Sequence, residues 1–304
     1  MTKKLRIGTR DSQLAVWQSS LVQQLLARKG IVSELVYIKS EGDLNITTPL
    51  YEMGVQGIFT KTLDIALLNN SIDIAVHSMK DVPVVLARGI QQAAVLERGS
   101  FHDILVYKNS LEFLEAGRSA VIASSSIRRI AQWLHRFPQH QMVSLRGNVN
   151  TRLRKLEENE WNGAVFAAAG LERIGLRPET SIDLDWMIPA PAQGAIMVAC
   201  RDGDNDALNN VSYINHPATA LCTMIERSFL KTLQGGCASP VSALATIEND
   251  EVHFCGSIAS HDGSHIEQIT RKVAMDNVQG LGQEAATTLL LSDKDWIKTV
   301  LKRS

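Results

Sequence analysis

The chain has 304 residues, 31 Lys and Arg against 32 Asp and Glu for a net charge of −1, and 45% hydrophobic residues. That length exceeds one comfortable core, so two or three domains are expected, and a near-neutral balance excludes a general electrostatic affinity for nucleic acid. No apolar run approaches the ~20 residues of a membrane span, none follows the basic start Met1–Lys4 as in a secretory leader, and the four cysteines form no C-x-x-C pair of a zinc site or disulfide framework. The expectation is a cytoplasmic protein with reduced thiols.

Leu5-Arg6-Ile7 reads as a first strand, followed by the loop Gly8-Thr9-Arg10-Asp11-Ser12 with two good helix caps. Leu14, Trp17, Leu21 and Leu25 recur at helical spacing up to Gly30. Glu34 to Lys39 is the next strand. Ser40 to Gly57 lacks periodicity, and so long a connection in a compact domain reads as a functional lid or mobile loop. A helix from Phe59 to Asn69 and a strand from Ile72 to Val76 complete an alternation that predicts an α/β domain with largely parallel pairing. A second α/β unit starts near Ser100: strand Val121–Ala123, a helix carrying Arg128 and Arg129, strand Met142–Leu145, helix Thr151–Glu158 and the buried strand Ala164–Ala168. Strand Ala195–Cys200 returns to the first lobe. After Pro217 come a helix from Ala218 to Leu233 and three strands, Val241–Thr246, Val252–Ala259 and His265–Val273, with turns at Glu248-Asn249-Asp250 and Asp262-Gly263. A helix from Val278 to Leu291 closes a small α+β domain. The expected division is 1–97 with 195–215, 100–190, and 217–304.

In open α/β sheets ligands gather beyond the carboxyl ends of strands. Those positions hold Arg10 and Ser12; Ser78, Lys80 and Asp81 after the strand ending at Val76; Ser124 to Arg129; Arg146 to Asn148 with Arg152; Arg173; and Gln193. Residues 118–177 contain nine Arg and one Lys against four Glu, a local basic excess that points to a small polyanion. Arginine's planar fork suits carboxylates or phosphates. Each piece has a plainer reading. Ser124-Ser125-Ser126 is as well explained as a helix cap, Arg154 as the partner of Glu158 on a solvated face, His77 as a packed core histidine, and Asp81 as a cap. The run Leu233-Gln234-Gly235-Gly236-Cys237-Ala238-Ser239-Pro240 sets one thiol on a glycine-rich loop, although a single cysteine is most often a small buried apolar residue.

Taken together, Arg10-Asp11-Ser12, His77-Ser78-Met79-Lys80-Asp81-Val82-Pro83, Ser125-Ser126-Ile127-Arg128-Arg129, Leu145-Arg146-Gly147-Asn148-Val149, Ala169-Gly170-Leu171, Gln193-Gly194-Ala195 and Gly235-Gly236-Cys237 resemble, in this order, the porphobilinogen deaminase (hydroxymethylbilane synthase) family of tetrapyrrole biosynthesis. The resemblance runs from about Leu5 to the end. It implies two α/β lobes of the periplasmic-binding-protein type with a hinged cleft, plus a small α+β domain. It also implies a monomeric transferase that joins four porphobilinogen molecules head to tail with loss of ammonia and releases hydroxymethylbilane by hydrolysis. A dipyrromethane cofactor, itself made from substrate, is expected on Cys237 through a thioether, and no metal. Asp81 is expected to stabilise the cation left by the departing ammonia. Arg10, Arg128, Arg129, Arg146, Arg152 and Arg173, with Ser12, Ser78, Lys80, Ser125, Ser126, Asn148, Gln193 and Gly194, match the family's cofactor- and substrate-binding positions, and Phe59 its lid. The chemistry explains the basic excess: two like charges ~4 Å apart repel by roughly 4 kcal/mol at an effective dielectric of ~20, and every added pyrrole brings an acetate and a propionate. The chain departs from the family pattern at Glu41-Gly42-Asp43, at Gly54-Val55-Gln56-Gly57, and at Ala192, where glycine is frequent.

Overall fold

The computed structural model describes residues 4–39, 60–235, 239–292 and 294–301. Strand β1 (Leu5–Thr9) leads into helix α1 (Gln13–Ala27), whose end is set by Gly30 at φ +76°. Gly30 N–H donates to Ala27 and Ile31 N–H donates to Leu26, the paired bonds of a glycine C-terminal cap, and Ile31 packs beside Leu26. The buried face of α1 is Ala15, Gln18, Ser19, Val22 and Leu26. The expected stripe of Trp17, Leu21 and Leu25 lies at its margin, half-buried against the same core. Then follow β2 (Ser33–Tyr37), α2 (Lys61–Leu68), β3 (Ile74–Ser78) and β4 (Ile90–Val95). Strand β3 starts and ends two residues later than its apolar pattern suggests, so His77 and Ser78 are strand residues rather than loop. A one-turn 3₁₀ segment, Met79–Asp81, follows directly.

The middle of the chain builds β5 (Asp103–Tyr107), β6 (Val121–Ala123), α3 (Ile127–Arg136), β7 (Gln141–Val143), α4 (Val149–Glu158), β8 (Gly163–Ala167), the short α5 (Ala168–Glu172) and β9 (Ser181–Asp183). Side chains alternate between two cores: Ile104, Val106, Ala164 and Phe166 pack on one face, and Leu105, Val165, Ile122 and Trp133 on the other. A sheet buried on both faces has continuous apolar strands, which is why Ile104-Leu105-Val106 and Ala164-Val165-Phe166 are unbroken.

Strand β10 (Ile196–Arg201), α6 (Asn205–Ser212) and α7 (Pro217–Thr232) come next, then the meander β11 (Val241–Glu248), β12 (Glu251–Ala259) and β13 (Ile266–Ala274), and helices α8 (Leu281–Leu290) and α9 (Asp295–Leu301). Asn249 and Asp250, both at positive φ, make the two-residue turn between β11 and β12. Gly256 on β12 lets the Phe229 ring of α7 lie on the sheet; a Cβ there would sit 2.6 Å from that ring.

By compactness the described chain forms two units, 4–39 with 60–99 and 194–221, and 100–193 with 222–301. The first holds the sheet β2-β1-β3-β10-β4; the second holds β7-β6-β8-β5-β9 and the separate β11-β12-β13. The expectation of largely parallel pairing is corrected. In the first unit β1 is parallel to β2 and β3, while β10 runs antiparallel to β3 and β4. In the second, β6 is parallel to β7 and β8, while β5 runs antiparallel to β8 and β9. The same pairing pattern recurs in both five-stranded sheets, although the sequence shows no repeat.

Candidate active site

In the first unit the expected site residues sit at the ends of two neighbouring strands. Strand β1 ends at Thr9, followed by half-buried Arg10 and Ser12; the latter is the N-cap residue of α1, its hydroxyl making no cap bond. Strand β3 delivers Ser78, whose hydroxyl accepts from the Gln18 amide at 2.9 Å. The 3₁₀ turn after it is pinned by Met79 N–H donating to the Ala195 carbonyl and by Val82 N–H donating to the Met79 carbonyl, leaving Lys80 and Asp81 half-buried. No hydrogen bond or ion pair engages the Asp81 carboxylate among the described residues. His77, next to them, is buried, and burial together with the Arg10 charge pushes its pKa down to about 4. It is a neutral core histidine.

In the second unit the arrangement turns on a residue that the strand-end reading passed over. Asp103, fully buried at the start of β5, lies 2.7 Å from the Arg128 guanidinium and 2.7 Å from that of Arg129. Arg129 Nε also donates to it, and each guanidinium donates to a backbone carbonyl, Arg128 to Ile188 and Arg129 to Val165. The Gln193 amide, likewise fully buried, donates to Asp103 at 3.0 Å and to the Phe101 carbonyl at 2.8 Å. Expected as ligand contacts at strand ends, Arg128, Arg129 and Gln193 are thus largely occupied with one carboxylate inside the protein. Two guanidinium groups share that single negative charge, and burial lowers the Arg128 pKa against the opposing pull of Asp103.

The remaining polar residues of this unit are tied to loop and helix ends. Ser126 is the N-cap of α3 and accepts from Arg129 N–H; Ser124 accepts from Ser126 N–H. The Ser125 hydroxyl accepts from Leu145 N–H at 2.8 Å and bonds to the Ser144 hydroxyl, which fixes the start of the Arg146 loop. Asn148 caps α4 through Thr151 N–H, and Arg152 Nε donates to the Gly147 carbonyl at 2.7 Å. Arg146 is half-buried, and its Nη1 is shut from solvent without an acceptor among the described residues. Arg173 closes α5; burial lowers its pKa to about 10, outweighing the Glu172 carboxylate. Arg154 pairs with Glu158 on an exposed face at 3.5 Å, as its helical spacing predicts.

Another buried carboxylate was not anticipated. Glu226 of α7 is fully buried and accepts Ala192 N–H at 2.6 Å and Ala245 N–H at 2.8 Å. Ala192 has φ +62°, a left-handed conformation that costs a residue with a Cβ ~1–2 kcal/mol. The signal for Asp103 was an acidic residue opening an apolar run, Asp-Ile-Leu-Val-Tyr; that for Glu226 was a carboxylate beside Ile225 on a helix bearing Phe229. A buried charge demands partners even when they are distant in the chain. Cys237 and Phe59 lie outside the described residues, as does the Ser40–Gly57 segment.

Residues 5–209 match the family described as porphobilinogen deaminase, dipyromethane cofactor binding domain, and residues 220–291 match its C-terminal domain. A porphobilinogen deaminase of Syntrophotalea carbinolica is 40% identical over 98% of this chain and 96% of its own length. One from Pelobacter propionicus is 39% identical over 95% and 94%. Among solved structures the methionine-binding protein MetQ is similar at 14% identity, with a TM-score of 0.43 over 69% of this chain and 88% of that one. The matches between them cover nearly every residue from the first strand to α8: the chain belongs to the porphobilinogen deaminase family.

Proposed function

We propose that this chain condenses four porphobilinogen molecules head to tail into hydroxymethylbilane, with its own residues in the following roles. The observation that carries the reading is the charge balance at Asp103. Two buried guanidinium groups on one carboxylate leave a positive excess, placed at the N-terminus of α3 where the helix dipole adds to it. Together with the Arg146 nitrogen that lacks an acceptor among the described residues, this donor set fits a ligand rich in carboxylates, as dipyrromethane with its acetate and propionate groups is. When held by a thioether at Cys237, dipyrromethane would supply the free pyrrole carbon onto which the first unit is joined, each later unit joining the ring added before it. Arg10, Lys80, Arg128, Arg129, Arg146, Arg152 and Arg173 neutralise acidic side groups. Ser12, Ser78, Ser125, Ser126, Asn148, Gln193 and Gly194 hold the loops and helix ends that carry them or add single hydrogen bonds.

Asp81 is the catalytic group. Its carboxylate accepts the N–H of the reacting pyrrole and stabilises the positive charge that develops as the aminomethyl nitrogen departs as ammonia. The new carbon–carbon bond forms at the methylene carbon, and the proton from the attacked ring carbon is released. One water ends the sequence: its hydroxyl adds to the methylene of the first-joined unit as the bond tying that unit to the primer breaks, and a proton returns to the freed ring carbon.

Three further readings belong to the same proposal: a division into 1–97 with 195–215, 100–190 and 217–304; a monomer that binds no nucleic acid; and a cytoplasmic location. No helix among the described residues is long and apolar enough to cross a membrane. Intact mass of the purified protein tests the proposal. A mass excess of two porphobilinogen units, each less ammonia, should survive denaturation and vanish in Cys237→Ser; an active enzyme of bare mass would overturn it.

A further inference from the structure

The segment 189–193 is held from outside itself. Ala243 N–H of β11 donates to the Pro189 carbonyl at 3.1 Å, and the Glu226 carboxylate bridges Ala192 N–H and Ala245 N–H. Glu226 therefore ties the outward N–H of an edge strand to the one non-glycine residue of this segment at positive φ. The next residue is Gln193, whose amide reaches Asp103, and Asp103 in turn holds Arg128 and Arg129.

We propose that Glu226 is a positioning residue: it holds Ala192 in its left-handed turn, so that the Gln193 amide meets Asp103 and the Arg128 and Arg129 guanidinium groups stay aimed at acidic groups of the substrate. It touches no reacting atom. A carboxylate can accept two backbone N–H groups at once, whereas a glutamine at the same place turns a donor toward one of them. Without the clamp Ala192 relaxes out of the left-handed region, unless its Cβ is removed.

The inference rests on the reading of Arg128 and Arg129 as carboxylate binders, and its test separates the two. Wild type, Glu226→Gln, Ala192→Gly and the double variant are compared as holoenzymes below their melting temperatures. In Glu226→Gln, KM for porphobilinogen is expected to rise roughly ten-fold, the factor that the strain at Ala192 represents, with kcat within three-fold. The double variant is expected to return KM to within three-fold of wild type, because glycine needs no clamp. A second readout is independent of turnover. The Gln193 side-chain amide signals in glutamine-selectively labelled protein should shift in Glu226→Gln and return in the double variant. Unchanged KM and unchanged Gln193 signals in Glu226→Gln overturn the proposal. So does a double variant that folds but keeps the defect, which also serves if Glu226→Gln alone does not fold. Gln193 signals that follow the clamp while KM stays constant leave Glu226 as a clamp but overturn its link to substrate, and with it the role given to the arginine pair.

Discussion

Asp81 and His77 stand four residues apart on one strand-and-turn segment and have opposite fates. Asp81 is half-buried with a carboxylate unengaged among the described residues, while His77 is buried and uncharged. Asp81→Asn keeps the shape and removes the negative charge that stabilises the departing-ammonia step. Turnover should fall by about 10²–10³ with the cofactor mass and the melting temperature retained; rates within three-fold of wild type would remove Asp81 from the mechanism. For His77 the folded pKa of about 4 lies below the unfolded value of 6.5, so between those pH values the unfolded chain binds the extra proton. Its contribution is complete above pH 6.5 and is lost as pH falls toward 4. Urea unfolding at pH 7.5 and pH 5 should differ by about 2 kcal/mol from this residue, and His77→Gln should remove that part of the difference. His140 adds to the trend in the same direction, its pKa lowered by burial against the bond to the Phe113 carbonyl. A wild-type protein equally stable at both pH values would contradict this account of His77.

Among the elements, what could be read ahead was what is local. Helix α1 ends where Gly30 sits, β6 occupies Val121–Ala123 as its apolar triplet indicates, and the three C-terminal strands fall between their turn residues. Strand β3 shows the limit. Ile72, Ile74 and Val76 suggest a strand from 72 to 76, yet Ile72 N–H bonds back to Ala66 at the end of α2. His77 and Ser78 join the strand because Met197 and Ile196 of β10 pair with them. That partner lies some 120 residues further along, and nothing near His77 announces it. The candidate site divides the same way. Ser126 was legible as a helix cap from the hydroxyl run before α3. Asp103 and Glu226 were not, because a buried carboxylate takes its meaning from donors such as Gln193 and Ala192 that come from other segments.

For the whole molecule the placing of β10 matters most. It lies between β3 and β4 and runs antiparallel to both, so the first sheet is built from residues before 100 and after 193. A fragment of residues 1–99 has every other strand of that sheet, but β3 keeps only β1 beside it and β4 has lost its one partner. Such a fragment should show no cooperative thermal transition and no dispersed amide spectrum, and joining residues 194–221 to it should restore both. A fragment 1–99 that folds by itself would mean that β4 can close on β3 directly.

The same interleaving sets a schedule for the chain as it is made. A ribosome adding ~5–20 residues per second needs about 5–20 s to travel from the end of β4 to the end of β10. Throughout that interval β3 has an unfilled edge, the kind of surface that pairs with any extended strand it meets. The second five-stranded sheet, β5 to β9, is synthesised entirely within the gap and has all its partners first. Of the two five-stranded sheets, the one begun first is therefore completed last, and its waiting edge is where a nascent-chain binding factor would matter to yield.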